Sequence, residues 1–284
     1  MPCCLIIGCG YLGEAMVGSL LARGYEVMAT TRGGASRTER LASLGATPVL
    51  FDTRAPGNLP ASDAVISAMA VDRTSGQTMR DVHVDGLRVA VNAIPDKRVA
   101  WFHVSSTSVY GQEHGEWVNE ESPCEPTDAS GHTVLEAEQT LKSLIPHATI
   151  LRFAGIYGPQ RLMRTAALMA GEPLRGDPER WLNLIHRDDG AEVVAALVAG
   201  NQQGQLLNVS DNQPIHRGDF YVEMARLLGA PTPRWIPRNP AEPWGPHERN
   251  NRRIDSSRMV AFAGSLLSYR DYRSGLPGCL ADHR

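Results

Sequence analysis

Cys3-Cys4-Leu5-Ile6-Ile7 is a short unbroken apolar run, the pattern of a strand buried on both faces. It runs into Gly8-Cys9-Gly10-Tyr11-Leu12-Gly13, after which Ala15, Met16, Leu20 and Leu21 recur at helical spacing over Glu14 to Arg23 and Gly24 ends the helix. Glu26 to Thr31 predicts a second strand, Val49-Leu50-Phe51-Asp52 a third, and Ala64-Val65-Ile66-Ser67-Ala68-Met69-Ala70 a fourth with its exit. Strands alternating with helical stretches predict an α/β fold built on a doubly wound parallel sheet.

The glycine spacing sharpens that expectation to a Rossmann-like sheet. In G-x-G-x-x-G between a strand and a helix, Gly8 permits the tight turn, Gly10 lets the backbone approach a pyrophosphate, and Gly13 lets the helix pack on the strand. Tyr11 and Leu12 open the helix, whose free N–H groups face the phosphates of a dinucleotide. At the end of the second strand stands Thr30-Thr31-Arg32, where an NAD site usually offers a carboxylate to the ribose. With no acid to repel a 2′-phosphate, and with Arg32 and Arg37 to pair with it, the expected cofactor is NADP(H) in preference to NAD(H). The small residues Ala68 and Met69's backbone at the fourth strand's exit leave room for the cofactor ribose.

Composition narrows the class without naming an activity. The chain has 284 residues, 42% of them hydrophobic, enough for a large core and two unequal lobes. A net charge of -3 with mixed signs gives no footprint for nucleic acid. No run approaches the roughly 20 apolar residues of a membrane span and no charged n-region precedes the first strand, so the expected location is the cytoplasm. The five cysteines have no metal-ligand spacing, which predicts reduced thiols and no metal site. Pro231 to Pro246 predicts an extended loop.

Trp101 to Gly111, with Ser105-Ser106-Thr107-Ser108-Val109-Tyr110-Gly111, resembles the strand and V-Y-G turn of the extended short-chain dehydrogenase/reductases of the NAD-dependent epimerase/dehydratase type. Leu151 to Pro159 resembles their strand and Y-G-P turn, Asn183 to Asp189 their I-H-x-x-D segment, and Leu207 to Asp211 their last sheet strand, so the resemblance spans nearly the whole chain. It implies that Ser106 is the hydroxyl residue of the site and that Asp52 contacts the adenine amino group; a turn-forming aspartate is the alternative for Asp52. It also implies a tyrosine and a lysine in Y-x-x-x-K. Here Ser130 and Val134 occupy those positions, and no tyrosine lies between Gly111 and Ile156. A serine hydroxyl without a cationic neighbour is a far weaker acid than the phenol it replaces, so the family's proton relay cannot run unchanged.

Ser130 itself, His114 after the V-Y-G turn and Tyr157 at the Y-G-P turn are the candidates to take over the proton. His132 points away from Ser130 on the same helix. Arg161, Arg164 and Arg175, with Arg180 nearby, are candidates to hold a phosphate or carboxylate of a substrate. His186 and Asp189 are expected to pack at the lobe boundary. The expected organisation is a dinucleotide-binding domain over 1-155 that also recruits about 189-210, followed by a smaller substrate lobe over 156-284. The expected activity is an NADP(H)-dependent oxidoreductase or epimerase-like reaction on a small polar carbonyl, imine or sugar-derived molecule. The alternative is a non-catalytic NADP(H)-binding sensor. Family members often dimerise through helices flanking the sheet.

Overall fold

The fold was read from a computed structural model, which describes residues 1–281 apart from 56, 73, 238, 240 and 242–249. Seven strands form one parallel sheet: β1 (Cys3–Ile7), β2 (Glu26–Thr31), β3 (Thr47–Leu50), β4 (Ala64–Ser67), β5 (Ala100–Ser106), β6 (Thr149–Phe153) and β7 (Leu206–Val209). Their order is β7-β6-β5-β4-β1-β2-β3. The direction of winding reverses between β1 and β4, which opens a crevice at the carboxyl ends of those two strands.

The alternation of side chains along β1 divides the core. Cys4 and Ile6 join Phe102, Phe153 and Val209 under α1 (Tyr11–Leu21) on one face. Leu5 and Ile7 join Val65, Trp101 and Ile150 on the other, against α3 (Gly86–Ala93) and α4 (Ala129–Leu144). Burial of each such large side chain stabilises the fold by about 1.5–3 kcal/mol. α2 (Ala35–Ser43) follows β2, α5 is the short Thr165–Met169, and α6 (Arg187–Ala199) packs beside α1. A π-helical turn, Asp81–Asp85, leads into α3 and packs against α4.

The smaller lobe gathers Tyr157, Leu168, Phe220, Met224 and Leu276 around α5, α7 (Arg217–Leu228) and α9 (Tyr272–Cys279). The chain between them also returns toward the larger sheet: α8 (Ser257–Ala263) places Met259 and Ala263 in the α1 core, and Arg252–Ile254 pairs with Glu116–Val118 in a separate two-stranded sheet. Sequence periodicity did not indicate either return.

Three element expectations need correction. The third strand ends at Leu50, and Asp52 lies beyond it in an isolated bridge to Ala55. The run after Leu151 splits at Ala154, so Gly155–Tyr157 leaves the sheet and pairs with Leu184–His186. Within Pro231 to Pro246, Trp235–Ile236 pairs as a strand with Leu174–Arg175, while 238, 240 and 242–246 lie outside the described residues. No helix among the described residues is long and apolar enough to cross a membrane.

Candidate functional site

The glycine loop is shaped by three different constraints. Gly8 has φ +85, and a Cβ there would lie 2.5 Å from the Met69 Cα, so the loop and the β4 exit at Ala68 and Met69 touch through backbone. At Gly13 a Cβ would press on Cys9 Sγ at 3.3 Å. At Gly10 it would meet nothing within 4 Å, which leaves the loop's flank open beside the start of α1. The Gly8 N–H donates to Thr30 Oγ1 at 3.0 Å, tying the turn to β2. The Glu14 N–H reaches the Gly10 carbonyl, so the N–H groups of Tyr11, Leu12 and Gly13 are the free donors of the first turn. Leu12 is buried in the core beneath.

At the end of β2, Thr31 Oγ1 accepts from the Gly33 N–H at 3.1 Å, and Arg32 pairs with Asp72 at 2.6 Å. Arg37 reaches back to the Cys9 carbonyl and to Glu14, and Arg40 pairs with the same Glu14 at 2.9 Å. Asp52 behaves as a turn residue. Its carboxylate accepts from the Arg54 backbone and holds the Arg54 guanidinium at 2.7 Å, and those hydrogen bonds keep its pKa down at about 2.

The stretch around Ser106 is compact. Ser106 Oγ accepts from the Ser108 N–H at 3.2 Å, and the Ser108 carbonyl approaches α4 so closely that a Cβ at Gly131 would lie 2.5 Å from it. Ser106 and Ser130 therefore flank the same residue. Ser130 donates its proton to Asp128 Oδ1 at 2.6 Å, and the same oxygen caps α4 by accepting from Gly131. Val134 is buried with Val109, Tyr110 and Ile254, so an apolar cluster fills the place of the family's lysine.

Tyr157 is a correction: it lies in the small-lobe core, edge-on to His186 and Phe220, with its hydroxyl donated to the Asp271 carbonyl at 3.4 Å. Burial drives its pKa upward, which makes it a poor proton donor. His114 is exposed in its loop, where its backbone N–H donates to Glu116 Oε2 at 2.8 Å. His186 and Asp189 pack as expected, His186 against Tyr269 and Cys279, Asp189 accepting from the Ser268 and Tyr269 backbone.

The arginines separate. Arg164 donates to the Arg175 carbonyl and lies over Tyr221 on the small lobe. Arg161 stands over the ring of Tyr11, at the glycine loop. Arg187, which sequence reasoning missed, stands over the same ring. Also missed was a titratable chain beneath the cleft: Trp101 Nε1 donates to Ser67 Oγ, which bonds His103 Nδ1 at 2.8 Å. Burial holds the His103 pKa at about 3, and His83 on the π turn adds to the depression. Ser67 meets His103 only through the register of parallel β4 and β5, which the sequence does not show.

Comparison with known proteins agrees with this geometry. Protein YeeZ of Escherichia coli strain K12 is 29% identical over 274 residues, covering 94% of this chain and 96% of that one. A 3-diazoavenalumate denitrifying reductase from a Streptomyces species is 25% identical over 260 residues, covering 80% and 82%. A conserved protein of unknown function from Silicibacter pomeroyi DSS superimposes with a TM-score of 0.78 at 28% identity over 99% of both chains. The model of the NAD dependent epimerase/dehydratase family matches residues 4–210, the stretch that carries the glycine loop, Ser106 and the start of α4, and the chain belongs to that family.

Proposed function

We propose that this protein is an NADP(H)-dependent reductase of a small polar acceptor bound between the sheet's carboxyl edge and the smaller lobe. The observation that carries the reading is the open flank at Gly10 beside the free N–H groups of Tyr11, Leu12 and Gly13, a cradle that a side chain would fill and a pyrophosphate fits. Preference for the 2′-phosphate is supported by Arg32, with Arg37 and Arg40 nearby, and by the lack of a carboxylate in Thr30-Thr31-Arg32. Bound nicotinamide supplies the hydride.

Ser106 supplies the hydroxyl that orients the acceptor. The Ser130 proton is held by Asp128, and Val134 offers no charge, so water supplies any proton the product needs. Polarised carbonyls and protonated imines, which demand little acid assistance, suit this site better than alcohols or sugars whose epimerisation needs a strong base. That a relative bears the name of a reductase supports the reductive direction. The test is a fluorescence titration with NADPH and NADH, followed by NADPH oxidation across an acceptor panel with Ser106→Ala as control. Equal affinity for the two dinucleotides would remove the NADP(H) preference, and turnover untouched by Ser106→Ala would remove Ser106 from the site.

The commitment of Ser130 and the burial of Val134 favour a second reading, a dinucleotide-binding sensor without chemistry. NADPH binding with no acceptor oxidising it above background is the result that selects the sensor.

A further inference from the structure

Tyr11 opens α1, and two guanidinium groups lie over its ring: Arg161 at 5.0 Å from the centroid and Arg187 at 4.9 Å. They arrive from separate elements, Arg161 from the turn after Tyr157-Gly158-Pro159 and Arg187 as the first residue of α6. The Tyr11 hydroxyl donates to the Pro159 carbonyl at 2.9 Å, which fastens the cofactor loop to that turn. Gly158 leaves space for this: a Cβ there would lie 2.5 Å from the Tyr11 hydroxyl and 3.1 Å from the Arg187 Cβ.

The segment carrying Arg161 is bracketed by two non-glycine residues in the left-handed region, Gln160 at φ 61 and Arg164 at φ 66. Such strain is held where surrounding contacts over-determine the backbone, and it clusters at ligand clamps. Arg187 spends its Nε on Asp188 at 2.8 Å. The Arg161 guanidinium is exposed and has no carboxylate partner among the described residues. Two cations drawn to one ring repel each other, and an oxyanion accepting from both removes that repulsion. The start of α1 offers such an oxyanion a place beside them, because the residue they stack on supplies the first free N–H of that helix.

We infer that Arg161 and Arg187 form a two-armed clamp, built on Tyr11, that grips the pyrophosphate of the bound dinucleotide from the side of the smaller lobe. Arg161 thereby belongs to the cofactor rather than to the substrate. The inference rests on the dinucleotide-binding part of the proposed function.

The experiment is isothermal titration of wild type, Arg161→Ala, Arg187→Ala and the double variant with NADPH, with NADH and with adenosine 2′-monophosphate, which lacks the pyrophosphate. Each single change is expected to weaken dinucleotide binding about tenfold and the pair about a hundredfold, with the mononucleotide altered less than about twofold. Arg161 is exposed, so Arg161→Ala keeps its melting temperature even where Arg187→Ala does not, and it tests the clamp alone. Dinucleotide affinity unchanged in Arg161→Ala, or an equal loss for the mononucleotide, overturns the clamp while leaving the proposed function standing. A wild-type protein that binds no dinucleotide overturns both.

Discussion

Arg152 on β6 and Glu138 on α4 form a buried two-pronged ion pair, Nε to Oε1 at 3.0 Å and Nη2 to Oε2 at 2.7 Å, with side chains 6% and 7% exposed. Ser105 donates to the same Glu138 at 2.5 Å, and Arg152 donates to the Tyr110 hydroxyl, which in turn donates to Asn208 Oδ1 at 2.8 Å. One network therefore ties β5, β6, β7 and the V-Y-G turn to the helix that carries Ser130.

Removing one partner leaves the other charged in a dry interior. Glu138→Leu is expected to cost about 3–5 kcal/mol, read as a lower denaturation midpoint at unchanged slope. Glu138→Leu combined with Arg152→Met is expected to recover most of that loss, since the cost comes from the orphaned cation. A single variant as stable as wild type would show that the pair is solvated.

Arg32 and Asp72 hold each other where a 2′-phosphate would compete for the guanidinium. Arg32→Ala is expected to weaken NADPH binding about 10- to 100-fold while NADH changes less than about twofold. Asp72→Asn frees the guanidinium and is expected to tighten NADPH binding several-fold. Equal losses for both dinucleotides in Arg32→Ala would mean that this arginine does not read the phosphate.

His103 gives stability a pH dependence of known sign. Burial lowers its pKa from 6.5 to about 3, so the unfolded chain takes up a proton that the folded chain refuses. Its contribution is complete above pH 6.5 and is lost as pH falls toward 3, by about 1.4 kcal/mol per unit. Asp211 opposes it: burial raises its pKa from 3.8 to about 7, so its contribution declines as pH rises through that window. The difference between wild type and His103→Gln isolates the histidine. Wild type is expected to lose ground to the variant with every unit of acid between pH 6.5 and about 4, and parallel curves would show that His103 is solvated.

Local patterns made the cofactor half legible. The strand, glycine turn and helix, and the Thr30-Thr31-Arg32 end of β2, are contiguous in sequence, so these elements could be placed without knowing the fold. The site's other contributors could not. Arg187 meets Tyr11 only because α6 packs beside α1, and Ile254 closes the cluster over Val134 only because the strand from Arg252 returns to Glu116–Val118. Tyr157 stands at the Y-G-P turn, but its strand pairs outside the sheet and turns the ring into the small-lobe core. Arginine spacing between Pro159 and Asn183 carried no sign that Arg161 and Arg164 face different neighbours.

Gly10 separates cofactor binding from folding. A Cβ would touch nothing, and the backbone at φ -94, ψ -147 lies just beyond the extended region, so Gly10→Ala is expected to cost only about 1 kcal/mol of strain and to melt a few degrees below wild type. The same methyl group would occupy the flank where the pyrophosphate approaches, and overpacking of that kind costs about 1–3 kcal/mol, or roughly 5- to 150-fold in dinucleotide affinity. Gly8→Ala makes the contrast, because its φ of +85 and the Met69 backbone 2.5 Å away penalise the fold itself. Thermal melting beside an NADPH titration of both variants reads the two effects apart. A Gly10→Ala protein that binds NADPH as wild type does would place the pyrophosphate elsewhere and remove the observation on which the functional reading rests.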